Sequence, residues 1–206
     1  GGSLGKFFRN STDVFPGTPY IVPRMARQRS NTKDRMRIGI SWKGGTKSTG
    51  QHLRSFPLEA FAPLISAFPE VDWVSLQYHA DAGQEVLAMY ERTGLRLNHP
   101  PLALQAFDYD DTLDLVASLD LVITVPTTVL HAAGALGVPC WVLVQQEAAW
   151  RETGNVEGRG ERMPWYNSVR LLHKTTAAWE PVIARVMGEL AALPRLQRMG
   201  ALQAAE

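Results

Sequence analysis

Between Asp120 and Val144 the chain reads DLVITVPTTVLHAAGALGVPCWVLV, and this stretch constrains the fold more than any other. Leu121-Val122-Ile123-Thr124-Val125 is a near-continuous apolar run, the pattern of a strand covered on both faces. Pro126 has no amide hydrogen and ends the ladder, and Thr127 or Thr128 can cap the helix that follows. That helix, Val129 to Leu136, carries Ala132, Ala133, Gly134 and Ala135, so it can lie close to a sheet. Gly137 fits the left-handed residue that ends helices, Pro139 blocks continuation, and Cys140 to Val144 is a second buried run. Strand, helix and strand in this order make a parallel crossover. The first-turn amides of its helix face outward at the strand end, where the dipole adds roughly half a positive charge, an arrangement that seats anions such as phosphate. The same residues also fit an ordinary crossover in which the Thr pair is only a cap and His131 a satisfied core residue.

Composition sets the frame. With 206 residues, 45% of them hydrophobic, 20% charged and a net charge of +1, the chain is one large domain or two small ones. No apolar run approaches the roughly 18 residues of a membrane span, and no signal-peptide pattern opens the chain, so the expected location is cytoplasmic. A single cysteine, Cys140, inside an apolar strand excludes a disulfide framework and a thiolate metal site, and leaves the Asn10-Ser11-Thr12 sequon little weight. Nine basic residues face one acid, Asp34, between Tyr20 and Arg54. Nucleic-acid binding would call for aromatic platforms or a recognition helix beside them, and neither is evident. We therefore expect residues 1–34 to be a tag remnant (Gly1-Gly2-Ser3) followed by a basic connector, residues 35–193 a single lobe, and residues 194–206 a tail.

Strand and helix patterns alternate along that lobe. Strands are predicted at Arg37 to Trp42, Trp73 to Gln77, Leu95 to Leu97, Leu121 to Val125, Cys140 to Val144 and Ser168 to Leu172. Helices are predicted at Leu58 to Phe68, Asp81 to Thr93, Asp111 to Ser118, Val129 to Leu136 and Ala178 to Leu193. The expected class is α/β, a Rossmann-like doubly wound parallel sheet of about six strands. Ligands bind such sheets outside the carboxyl ends of the strands, here Trp42-Lys43-Gly44-Gly45, Gln77-Tyr78, Pro126-Thr127-Thr128 and Gln145-Gln146. Lys43, Lys47 and Arg54 follow the first of these ends and can meet a phosphate.

Several chemistries drop out. Gly44-Gly45-Thr46-Lys47-Ser48 imitates a P-loop but has Thr46 where glycine is required. No GxGxxG follows the first strand, the histidines show no HExxH spacing, the acids form no metal-ligand cluster, and Ser41 is not in a GxSxG elbow.

In order and spacing, RIGISWKGG, LRSFPLEAFAPL, DWVSLQY, the DYDDTLDLVASLDLVITVPTTVLHAAGALGVPCWVLV block and MPWYNSVRLLH resemble the C-terminal lobe of a GT-B glycosyltransferase. The similarity is to bacterial transferases that follow tetratricopeptide repeats, related to the heptosyltransferase and O-GlcNAc transferase groups. It implies a nucleotide-sugar donor site, with a UDP-sugar as the first expectation, no metal or other cofactor, and inversion at the anomeric carbon. Thr127 and Thr128 would take the diphosphate, Arg54 would contact phosphate, and Ser41, Lys43, Gly44, Gly45 and Lys47 with Gln77 and Tyr78 would lie beside diphosphate and nucleoside. The turn at Asp110, Asp111 and Thr112 would close over the base. His131 matches a frequent family histidine one helical turn in. Pro126 stands where many relatives carry Asp, which leaves open an altered donor or a degenerate site.

The implied activity is metal-independent glycosyl transfer to an unidentified acceptor, the leaving diphosphate being stabilised by cationic side chains and helix amides. The catalytic base would come from a missing N-terminal lobe, and an N-terminal lobe or repeat domain is the expected partner, so this chain alone is expected to bind donor weakly without turnover. A non-catalytic nucleotide-sugar-binding module and a protein-interaction lobe stay open beside it. The segment from Gln146 to Tyr166, about 20 residues without periodicity, is expected to be a mobile flap near the sugar. The last helix either crosses toward the other lobe or covers this lobe's own sheet.

Overall fold

The computed structural model describes residues 11, 15–25, 35–46, 48, 50–101, 108–146, 152 and 160–197. Five parallel strands, β1 (Arg37–Ser41), β2 (Asp72–Ser75), β3 (Leu121–Thr124), β4 (Cys140–Val144) and β5 (Val169–His173), form one sheet in the order β2-β1-β3-β4-β5. The helices are α1 (Ala62–Ala67), α2 (Ala82–Thr93), α3 (Tyr109–Ala117), α4 (Thr128–Leu136) and α5 (Glu180–Ala191). Side chains alternate across the strands. Ile38, Ile40, Leu121, Ile123 and Leu172 therefore pack with Leu64, Met89, Val182, Ile183, Val186 and Leu190 on one face. Val74, Val122, Val142 and Leu171 pack with Val116, Val129, Leu130 and Ala133 on the other. Burial on both faces is why β3 and β4 read as continuous apolar runs.

The sixth strand expected around Leu95 to Leu97 is not formed. Asn98 makes one parallel bridge to β2, with its amide donating to the Trp73 carbonyl (2.9 Å) and its carbonyl accepting from Ser75 (2.7 Å). After His99 come Pro100 and Pro101, and proline can donate nothing to a ladder, so pairing does not continue past them. α3 starts earlier than its acidic cluster suggested, because Asp108 is the cap and accepts from the Asp110 amide (3.0 Å). The last helix, α5, covers this sheet's own face through Val182, Ile183, Val186 and Leu190, resolving the two readings of that segment. Among the described residues no helix is long and apolar enough to cross a membrane.

The packed body extends past both expected boundaries. Residues 15–25 run along α4 and α3: the Tyr20 and Ile21 amides donate to the Ala135 carbonyl (2.9 and 3.1 Å), and Asn167 donates to the carbonyls of Pro16 (3.0 Å) and Gly17 (2.8 Å). Arg24, read from sequence as part of a solvated connector, pairs with Asp108 (2.9 Å), Asp114 (3.4 Å), Asp110 (3.8 Å) and Asp111. Beyond residue 193, Leu196 is buried and Arg195 pairs with Asp120 (2.8 Å).

Gly160 to Tyr166, the end of the proposed flap, lies beside the outer strand. Glu161 accepts from the Leu171 amide (2.7 Å), Arg162 bridges Arg170 antiparallel, and Met163 and Tyr166 are buried. Gln146 and Glu152 are described as well, whereas residues 147–151 and 153–159 lie outside the described residues. The Glu161 carboxylate binds Arg185 (2.6 Å) and Arg170 (2.8 Å), and Glu189 of α5 accepts from both arginines, tying loop, β5 and α5 together. Hydrogen bonding from Arg185, joined by Arg170, holds the Glu161 carboxyl below its ordinary range despite some burial. A carboxyl lowered in the fold contributes stability that is present above its unfolded value and lost as pH falls through the folded one. Urea midpoints at about pH 6 and pH 3 should therefore show Glu161→Gln less stable than wild type at the higher value, with the gap narrowed at the lower. Because these groups are half-exposed, the difference should be modest and shrink in high salt.

Candidate functional site

The chain runs from β1 outward to β2, then returns past β1 to β3, so the crossovers diverge between β1 and β3. That switch point is where the carboxyl ends of an open α/β sheet leave a crevice. One wall is the turn into α4. Thr127 is extended, and its hydroxyl accepts from the Val129 amide (3.1 Å), which makes it the cap. Thr127 is buried while Thr128, in the first helical turn, is exposed. Of the threonine pair, the first thus builds the helix end and the second faces outward. Pro126 contributes a carbonyl and no amide.

The opposite wall is the loop after β1. It is closed by the Phe56 amide on the Trp42 carbonyl (3.1 Å) and the Gln51 amide on the Thr46 carbonyl (3.1 Å), while the Gly44 amide donates to Ser55 Oγ (3.1 Å). Gly44 lies directly against the first wall: a Cβ there would sit 2.7 Å from the Pro126 carbonyl oxygen and 2.7 Å from Thr127 Cγ2. Glycine at this position lets the two backbones meet.

Gln77, expected as a ligand residue, is the strut of this loop. Its Oε1 accepts from Ser41 Oγ (3.0 Å) and the amides of Trp42 (2.9 Å) and Lys43 (2.9 Å), and its Nε2 donates to the Lys43 carbonyl (3.0 Å). Ser41 and Gln77 are both buried, so they shape the site from beneath. Tyr78 is half-exposed at the end of β2, and Tyr109 of α3 is near enough that, after burial, Tyr78 contributes to raising its hydroxyl.

Lys43, Gln51, His52 and Ser55 line a cavity of about 430 Å³ at the end of β1. Arg54, half-buried, ends the short turn Gln51–Arg54 that forms its far side. Lys43 is ion-paired with Glu85 of α2, which also accepts from Trp42 Nε1 (2.7 Å) and lies 3.3 Å from His79 Nε2. Burial alone would raise the Glu85 carboxyl, but the hydrogen bonds from Lys43 and Trp42, with the Lys43 and His79 charges, hold it below its ordinary range. Sequence reading missed Glu85, Ser55 and Tyr109.

Asp110 and Asp111 are exposed, with their carboxylates facing Arg24, and Thr112 is buried. His131 Nδ1 lies 3.2 Å from the Tyr166 hydroxyl, itself 3.4 Å from that of Tyr20, so His131 links α4 to the segments laid across it. Gly45 is exposed beside Gly44, and Lys47 lies outside the described residues. A larger groove of about 870 Å³ between α1, α2 and β2, lined by Trp73, Val86, Leu87, Tyr90 and His99, contains none of the expected site residues. Volume alone would favour it; the switch-point geometry favours the smaller cavity.

No family model matches the chain. Protein FlbA of Caulobacter vibrioides is 32% identical over 152 residues, which is 73% of this chain and 24% of that protein. The chain thus spans about a quarter of the length of that relative. The structure of E. coli ADP-heptose LPS heptosyltransferase II is similar over 83% of this chain and 49% of that one, with a TM-score of 0.51 and 19% identity. The fold is glycosyltransferase-like. At that identity the likeness concerns architecture, namely the α/β parallel sheet with helices on both faces.

Proposed function

We propose that the chain is the donor-binding lobe of a GT-B glycosyltransferase. The observation that carries this is the close meeting of Gly44 with Pro126 and Thr127 at the switch point, which brings a glycine loop against the start of α4 beside Lys43. The outward amides of that first turn, the exposed Thr128 hydroxyl, Lys43 and Arg54 would hold the diphosphate of a nucleotide sugar and stabilise it as it leaves, without a divalent ion. Gly45 and Lys47 would flank the same group. Tyr78 and the turn at Asp110 to Thr112 would lie toward the nucleoside. His131, in the first turn of α4, and Pro126, just before its cap, would support that helix. The catalytic base would come from a missing N-terminal lobe, transfer would invert the anomeric carbon, and the isolated chain would bind without turning over.

The likeness to one half of a heptosyltransferase, and the small share of FlbA that this chain matches, support a lobe that works beside others. A UDP-sugar remains the first expectation for the donor, and the name of the structural neighbour makes an ADP-sugar its direct competitor. Thermal denaturation with UDP, ADP, GDP and CDP, each free and as its sugar, tests the reading. Stabilisation by one nucleotide series, growing with the ratio of ligand to Kd, is expected. A flat response to every nucleotide would leave the protein-interaction lobe as the surviving reading. Binding without donor hydrolysis, even with a complementary N-terminal lobe added, would favour the non-catalytic module, to which Pro126 in place of Asp already points.

A further inference from the structure

Lys43 sits one residue before the Gly44 contact with α4, and its ammonium already has a carboxylate partner. Glu85 holds it. The carboxylate is fixed from below by Trp42, whose ring is fully buried and whose Nε1 donates to Oε2 (2.7 Å), while Oε1 faces both Lys43 Nζ and His79 Nε2. The Lys43 backbone is clamped on both sides by Gln77, which accepts from its amide (2.9 Å) and donates to its carbonyl (3.0 Å). The side chain of Lys43, paired with Glu85, also borders the cavity lined by Gln51, His52 and Ser55.

We propose that Glu85 is a counter-charge built under the anion site, a residue that restrains Lys43 and lowers affinity for a bare diphosphate. The inference rests on the donor-site reading above and adds a specificity-determining residue to it. Without Glu85, one uncompensated positive charge would stand beside the diphosphate in product as well as in donor, and product release would slow. With it, a diphosphate has to draw Lys43 away from a partner that Trp42 keeps in place. Binding of bare anions is thereby weakened, while contacts to the rest of a nucleotide sugar are untouched.

A charge cycle read by calorimetric titration with pyrophosphate and with UDP tests this. Glu85→Gln keeps an acceptor for Trp42 Nε1 and should bind pyrophosphate roughly tenfold more tightly, the effect of one unit charge near an anion at a partly exposed site. Lys43→Met should bind about tenfold more weakly, and the double variant, equal in charge to wild type, should return close to it. Both shifts should shrink as salt rises. Glu85→Ala carries the same predicted sign if the glutamine variant does not fold. Wild-type binding with Glu85 variants unchanged or weaker would overturn the inference and leave the donor site standing. Absence of pyrophosphate and UDP binding in wild type and all variants would overturn both.

Discussion

Gln77→Leu is expected to destabilise the fold by about 3 kcal/mol and to remove nucleotide binding. The buried amide of Gln77 gathers Ser41, Trp42 and Lys43 onto one oxygen and returns one donor to the Lys43 carbonyl. Leucine fills similar space but leaves three buried or half-buried donors without that acceptor, each worth about 1–3 kcal/mol before relaxation and water entry reduce the total. The loop from Trp42 to Phe56 would then lose its attachment to β2, and Gly44 its fixed distance from Thr127. Urea denaturation measures the first effect and nucleotide titration of the folded fraction the second. A change under about 0.5 kcal/mol would mean the loop holds itself through the Phe56 and Gln51 amides.

The second large effect is at Gly134. A Cβ there would lie 2.3 Å from Tyr166 Cγ and 2.5 and 2.7 Å from its two Cδ atoms, because the tyrosine ring rests on the helix where the side chain is missing. Alanine is the better helix former by about 1 kcal/mol, so propensity alone predicts stabilisation. The clash should win. Moving a buried aromatic ring costs about 1–3 kcal/mol, more when hydrogen bonds go with it, and Tyr166 also joins His131 to Tyr20. We expect Gly134→Ala to lose about 2 kcal/mol net, measured by urea denaturation, and expect a smaller loss when Tyr166→Ala is made first. Stabilisation by Gly134→Ala would show that Tyr166 packs elsewhere.

The crossover from β3 to β4 was legible because its signals are local. Burial of both faces shows as an unbroken apolar run, the cap as threonine after proline, and the helix end as Gly137, which has φ 72°. Contacts between distant residues left no such trace. Lys43 and Glu85 are 42 residues apart, and nothing near either one indicates that they pair. Gln77 at a strand end carries the pattern of a ligand residue, and only its four hydrogen bonds reveal a strut. The nine-to-one excess of basic residues from Tyr20 to Arg54 concealed that Arg24 meets Asp110 and Asp111 of α3, which had been assigned to a base-closing turn. The strand expected at Leu95 to Leu97 shrinks to the single bridge of Asn98 to β2.

The account turns on where an anion binds. Titrating the 15N-labelled chain with UDP, and separately with ADP, while following backbone amides tests it most directly. The account predicts saturable shifts centred on Gly44, Gly45, Thr128, Val129 and Leu130, with the Lys43 and Ser55 amides moving beside them. Saturable binding that leaves these amides still and instead shifts residues of the groove along β2, such as Trp73, Leu87, Tyr90 and His99, would contradict it.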